Sequence, residues 1–190
     1  VAGRRYTDED TLRVLKMVVA GGVNVDLCAG LRAAGVRPVG LHGAVRATRR
    51  PPRVYAGAGD APIDLGLVGD VTGVDVGLLD LLLSDGRVPV LACLGVGEDA
   101  ADNRGAGAAL YNINADTVAR GLAAALRAPR LVLVSDTALL RDRGDRGSRI
   151  ARLSAAEAQE LIRTGVAQGG MIAKLEEAGA ALRAGVAEVV

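Results

Sequence analysis

Short apolar segments alternate along this chain with longer alanine- and leucine-rich ones, and that alternation admits few folds. Strand-like stretches stand at residues 38–41, 63–72, 88–92, 108–113 and 130–134. Between them run helical patterns at 9–34, 75–83, 117–128, 154–163 and 169–184. Strands that alternate with helices must be covered on both sheet faces, which predicts an α/β domain with a largely parallel sheet. No internal repeat or linker interrupts residues 1–190, so one domain is expected.

Helix starts are marked by side chains that satisfy free backbone N–H groups. Thr7-Asp8, Asp75 and Asn114 stand at such starts, and Ser154 with Glu157 has the spacing of a capping box. Gly169-Gly170 opens the last helix, and Gly21-Gly22 marks an expected break in the first. Pro51-Pro52 within the arginine-rich 46–53 predicts an exposed loop whose arginines form a solvated surface rather than a phosphate site. Residues 95–107 read as a polar, glycine-containing loop.

A net charge of +1 gives no electrostatic case for nucleic acid or an anionic membrane. Cys28 and Cys93 lie far apart without metal-ligand spacing and read as buried free thiols, and no metal site is expected. No apolar run in the sequence approaches the length of a membrane span, and no signal-peptide pattern is present, so a cytoplasmic setting is expected. The chain opens at Val1 and stops on an apolar Ala187-Glu188-Val189-Val190, as a fragment of a longer sequence would.

Chemistry concentrates in the run Tyr111-Asn112-Ile113-Asn114-Ala115-Asp116-Thr117, where an apolar strand turns into a helix. Asn114 suits an N-cap, and Asp116 falls in the first turn, where the helix dipole favours an anion. Asn112 is a second amide, two residues before the cap, that capping leaves unexplained. Lys174 lies near the start of the helix after Gly169-Gly170, where a cation opposes the dipole by about 0.3–1 kcal/mol. A lysine there, with glycine N–H groups beside it, suits either a phosphate site or an ordinary surface. Asp136 closes a strand at the edge where open α/β sheets bind ligands, and Arg5 could clamp a carboxylate. There is no P-loop, protein-kinase signature or GxSxG elbow, and His42 reads as a strand-end residue.

In their order and spacing these segments resemble the amino acid kinase family. Gly3-Arg4-Arg5-Tyr6-Thr7-Asp8 is similar to its G-x-R-x-T-D segment, and Val39-Gly40-Leu41-His42-Gly43 to its VGLSG strand. Asp64-Leu65-Gly66 with Val68-Gly69-Asp70-Val71 resembles DLG-x-VG-x-V, and Val88-Pro89-Val90 the buried strand before the catalytic loop. Asn112-Ile113-Asn114-Ala115-Asp116 is similar to N-[IV]-N-A-D, Ser135-Asp136 to the [TS]-D of the nucleotide loop, and Gly169-Gly170-Met171-Ile172-Ala173-Lys174 to GGM-x-x-K. Three family elements are absent from the sequence: the K-x-GG strand, the H-GGG loop and the C-terminal G-x-GT. The nucleotide loop, Asp136-Thr137-Ala138-Leu139, is one residue shorter than the family's and lacks its glycine.

The resemblance implies a three-layer αβα sandwich with a mainly parallel sheet, here truncated. It implies transfer of the ATP γ-phosphoryl group, with Mg2+ carried on ATP, to the side-chain carboxylate of N-acetyl-L-glutamate in arginine biosynthesis. Carried over by motif, Arg5 would hold the substrate α-carboxylate and Asn112 the acetylglutamate. Lys174 would neutralise charge on the transferring group, and Asp116 would orient catalytic lysines. Asp136, Thr137, Gly169 and Gly170 would border the nucleotide. A homodimer is implied as well. Two alternatives stay open: a kinase of N-acetyl-aminoadipate or a carrier-linked substrate in lysine biosynthesis, and a non-catalytic domain that binds arginine or acetylglutamate.

Overall fold

The computed structural model describes residues 6–54, 59–98, 108–135, 139, 146–167 and 170–190. The chain divides into two units, Val1–Gly121 and Leu122–Val190.

The first unit opens on α1 (Glu9–Leu15), which Asp8 caps by accepting the Thr11 N–H at 2.8 Å. Gly21-Gly22 does not end this helix. The backbone instead widens into a π-helical segment, Lys16–Val23, with the Asn24 N–H reaching back to Val19 O, and continues as α2 (Asn24–Ala33). The wider turn carries the chain through two residues of low helix propensity without ending the helix.

This continuity corrects the reading that nothing here reaches the length of a membrane span. Glu9–Ala33 is a single 25-residue helix that is long and apolar enough by length and composition. Lys16 and Asp26 divide its apolar residues in sequence, but folding joins them on one rod.

The helix packs against a parallel pair, β1 (Pro38–Leu41) and β4 (Val88–Leu91), in register from Pro38↔Val88 to Leu41↔Leu91. One buried polar side chain locks it there. Asn24, 6% exposed, donates from Nδ2 to Val90 O at 3.0 Å and accepts a weak bond from Cys28 Sγ at 3.8 Å. Its Oδ1 lies where a Cβ on Gly40 would come within 2.4 Å, so β1 needs a glycine at that position.

Four further strands form a second sheet in the order β3-β2-β5-β6: β2 (Val45–Arg49), β3 (Gly69–Val74), β5 (Leu94–Gly97) and β6 (Leu110–Asn112). Here β2 and β5 run parallel, while β2–β3 and β5–β6 are antiparallel. Its core is made by Val45, Ala47, Val68, Tyr111 and Ile113, all buried. Two of the predicted loops are therefore partly strand. In Val45–Arg49 the alternation of buried Val45 and Ala47 with more exposed arginines is a strand pattern, and each arginine finds an acid. Arg46 pairs with Glu98 at 2.9 Å, Arg49 with Asp64 at 2.9 Å, and both Arg50 and Arg53 with Asp70 at 2.7 Å. Residues 95–97 of the predicted 95–107 loop belong to β5, while 99–107 lie outside the described residues.

Asp75 caps α3 (Val76–Ser84) by accepting the Leu78 N–H at 3.0 Å, and Leu79 of that helix is fully buried. Helix α4 (Ala115–Ala125) follows β6 and straddles the division between the units.

In the second unit, β7 (Arg130–Leu131) pairs in parallel with β8 (Glu188–Val189). It is shorter than the expected strand, although the Leu133 N–H still reaches Val190 O at 2.7 Å. Helix α5 (Ala155–Arg163) starts in the predicted capping box of Ser154 and Glu157, and it packs on α6 (Gly170–Arg183). Among the described residues, Ala123, Leu131, Ala167, Ala181 and Val186 form this unit's buried core. Neither cysteine is in a disulfide, and both are half-buried rather than buried.

Gly40→Ala should cost about 1–3 kcal/mol of stability, because the new methyl group has to displace a pinned amide. In an Asn24→Ala background the same change should cost little. Urea unfolding of the four proteins measures both effects, and equal costs in the two backgrounds would contradict this account of the helix lock.

Candidate functional site

Thr7 is completely buried, and its backbone is held from both sides. Its N–H donates to Leu65 O at 3.0 Å, and its carbonyl accepts the Leu67 N–H at 2.7 Å. The segment between those partners has to turn tightly around it. Gly66 adopts φ +75°, and a Cβ there would lie 2.3 Å from Thr7 O and 3.1 Å from the Tyr6 ring. Only glycine satisfies both the left-handed backbone and the close approach. The turn is braced from outside, since Asp64 Oδ1 accepts the Gly66 N–H at 2.8 Å while Arg49 donates to Asp64 Oδ2 and to Gly66 O.

Asn112, the last residue of β6, joins the same cluster. Its backbone N–H donates to Leu67 O at 2.9 Å, and its Nδ2 donates to the Thr7 hydroxyl at 3.0 Å. Segments around positions 7, 66 and 112 thus meet in one hydrogen-bonded knot. They are the segments that carry the R-x-T-D, DLG and N-I-N-A-D patterns. The sequence marks Asn112 as a binding residue, whereas Thr7 stands in it as part of a helix cap and as a motif position with no role of its own. The signal available for Thr7 was its position in the same motif as Arg5.

Beyond the knot the backbone enters α4. Asn114, exposed, caps it by accepting the Asp116 N–H at 2.8 Å and the Thr117 N–H at 3.3 Å. Asp116 sits half-buried in the first turn, next to buried Thr117 and Val118. Asn112 and Asn114 therefore serve different partners, one tying strands together and the other starting a helix.

Asp8, exposed beside Thr7, has its carboxyl held below the usual range by hydrogen bonds from Thr11, the side chain first and the backbone N–H second. That lowered value keeps the cap ionised at the start of α1, where the dipole favours an anion.

Lys174 and Gly170 belong to the second unit. Gly170 is the first residue of α6, and Lys174 lies half-buried four residues further on. Ser135 is exposed beyond β7. Arg5, Asp136, Thr137 and Gly169 lie outside the described residues. His42 is exposed after β1, as expected of a strand-end residue. It borders a pocket of about 340 Å3 between Lys16, Ala20 and Gly21 of the π-helical segment and the ends of β1 and β4, and neither Thr7 nor Asn112 lines that pocket. Among the described residues, no three His, Cys, Asp or Glu side chains converge as a metal site requires.

The sequence matches the Amino acid kinase family over residues 1–190. An acetylglutamate kinase of Sorangium cellulosum is 60% identical over the whole chain, which spans 66% of that protein's length. A crystal structure of a Streptococcus mutans UA159 protein superposes with a TM-score of 0.81 at 28% identity, covering 100% of this chain and 71% of that one. N-acetylglutamate synthase from Neisseria gonorrhoeae, complexed with coenzyme A and N-acetyl-glutamate, gives a TM-score of 0.74 at 25% identity over 100% of this chain and 40% of its own. Likeness at this level establishes a shared α/β sandwich fold.

Gly66→Ala should destabilise the protein by about 2 kcal/mol or more, since it adds a strained left-handed residue and a clash with a backbone oxygen. A urea midpoint unchanged from wild type would show that the turn around Thr7 is looser than its hydrogen bonds imply.

Proposed function

Because this chain belongs to the amino acid kinase family, we propose that its protein transfers the γ-phosphoryl group of ATP to the side-chain carboxylate of N-acetyl-L-glutamate, in arginine biosynthesis. The observation that carries this reading is 60% identity to an acetylglutamate kinase across all 190 residues. The knot of Thr7, Gly66 and Asn112 supports it, because three family motifs separated by up to 105 positions converge there.

In this reaction a carboxylate oxygen attacks the γ-phosphorus, the bond to the β,γ-bridging oxygen breaks, and ADP departs with its electron pair. An acyl phosphate forms. A carboxylate needs no base to become nucleophilic, so catalysis comes from positioning and charge neutralisation. Arg5 holds the α-carboxylate, and Asn112 holds the acetylglutamate. Lys174 neutralises charge on the transferring group, with Gly169 and Gly170 assigned by motif to border the nucleotide beside it. By their motifs Asp116 is assigned to orient catalytic lysines and Asp136 and Thr137 to border the nucleotide, and Mg2+ would be carried on ATP. The setting is cytoplasmic.

The likeness to an N-acetylglutamate synthase favours a second reading, a non-catalytic domain that binds acetylglutamate or arginine. An ATP-dependent hydroxamate assay on the complete gene product separates them. Acetylglutamate should yield hydroxamate; product from N-acetyl-aminoadipate alone would move the assignment to lysine biosynthesis, and none from either would favour the regulatory domain. Lys174→Ala should lower kcat about 10²- to 10³-fold with acetylglutamate binding nearly unchanged by calorimetry. Weakened binding at constant kcat would assign Lys174 to the ground state instead.

A homodimer is part of the same proposal. The Glu9–Ala33 helix presents Val14, Met17, Val18, Val25 and Leu27 at the surface, each at least half exposed, and a second copy would cover them. Sedimentation of the complete protein should show a dimer that Met17→Glu weakens, and a monomer at all concentrations would remove this part of the proposal.

A further inference from the structure

We infer that Thr7 is a positioning residue for substrate: its hydroxyl holds the Asn112 carboxamide in the orientation that receives the acetylated amino acid. This rests on the acetylglutamate reading above and adds a residue to that site.

The carboxamide of Asn112 is separated by two rotatable bonds from a backbone that is already fixed. Its N–H is bonded to Leu67 O, and its Cα is in register with Leu94 across the β5–β6 ladder. An unrestrained amide would be ordered only as substrate arrives, and that ordering would subtract from affinity. The Thr7 hydroxyl, 3.0 Å from Nδ2, orders it beforehand. One amide N–H is taken up by this bond, which leaves the second N–H and the carbonyl oxygen for a ligand.

Thr7 suits the task because it cannot move. It is fully buried, its backbone is bonded to Leu65 and Leu67, and its branched side chain has few rotamers. It stands two residues after Arg5, the proposed clamp for the substrate α-carboxylate. A single anchor therefore fixes one substrate-binding side chain directly and sits beside the other in sequence. The residues assigned by motif to the nucleotide and the transferring phosphoryl group lie elsewhere in the sequence, at positions 136–174, so loss of this bond should fall on the acetylated substrate alone.

The test is a double-mutant cycle in the complete gene product. Thr7→Val keeps the shape and removes the hydroxyl; it should raise KM for acetylglutamate and its calorimetric Kd about 5- to 10-fold. KM for ATP should stay within about 2-fold and kcat within about 3-fold. Thr7→Ser restores the hydroxyl and should bind within about 2-fold of wild type. In an Asn112→Ala background Thr7→Val should add nothing to KM or Kd, because the group it positions is gone. Additive effects in the cycle, an equal loss for Thr7→Ser, or a parallel rise in KM for ATP would overturn the inference and leave Thr7 a purely structural residue. Should Thr7→Val fail to fold, Thr7→Cys replaces it in the cycle under the same criteria. A wild-type protein that neither phosphorylates nor binds acetylglutamate overturns the reading of function itself, and that result is obtained before any variant is made.

Discussion

Thr7 threads between Leu65 and Leu67 with both its backbone groups bonded, and much of the first unit is arranged around that crossing. Each bond contributes about 1 kcal/mol net, yet leaving either buried group unpaired would cost about 1–3 kcal/mol. The chain therefore has little freedom to pass the turn at any other height. From this crossing α1 leaves in one direction, capped by the next residue, Asp8, and β3 leaves in another three residues beyond Gly66. Asn112 docks against Leu67 and Thr7 and so fixes where β6 ends and where α4 starts.

A second constraint works on the surface of the mixed sheet. Arg46, Arg49, Arg50 and Arg53 are each matched to an acid on a neighbouring segment, with Asp70 shared between two of them. Exposed pairs of this kind contribute little to stability, typically below about 1 kcal/mol. Arg50, with a side chain only 12% exposed, is the least solvated of the four, and Asp70, which it shares with Arg53, is the least exposed of their acids. Their larger effect is on chemistry. Guanidinium groups committed to carboxylates do not form a free anion-binding surface, which agrees with the structural reading of that arginine run even though half of it is strand rather than loop.

What could be read in the sequence was local. Asp75, Asn114 and Ser154 with Glu157 announce helix starts because a cap and its target lie within three residues, and all of them cap as expected. The arginine-rich segment reads locally as a loop because its strand character depends on backbone partners in β3 and β5, 20 to 50 positions away, which no window around Pro51-Pro52 contains. The glycine pair at 21–22 was read as a break because propensity counts cost and does not foresee a π-helical detour. The long apolar helix is hidden in the sequence for a related reason: isolated charges interrupt a run of letters without interrupting a surface. At the candidate site, Asn112 and Asp116 were placed by motif and lie at the strand–helix junction as anticipated. Thr7 escaped because its partner is 105 residues away, and only the folded chain brings a threonine and an asparagine into hydrogen-bond range.

Aromatic residues are scarce in this protein: no tryptophan, no phenylalanine and three tyrosines. Two of them flank the knot. Tyr6 precedes Thr7 and touches the Gly66 turn, and buried Tyr111 precedes Asn112. The near-ultraviolet spectrum is consequently dominated by reporters adjoining the proposed substrate residues. Tyrosine emission or near-ultraviolet dichroism can follow ligand occupancy there without any introduced label.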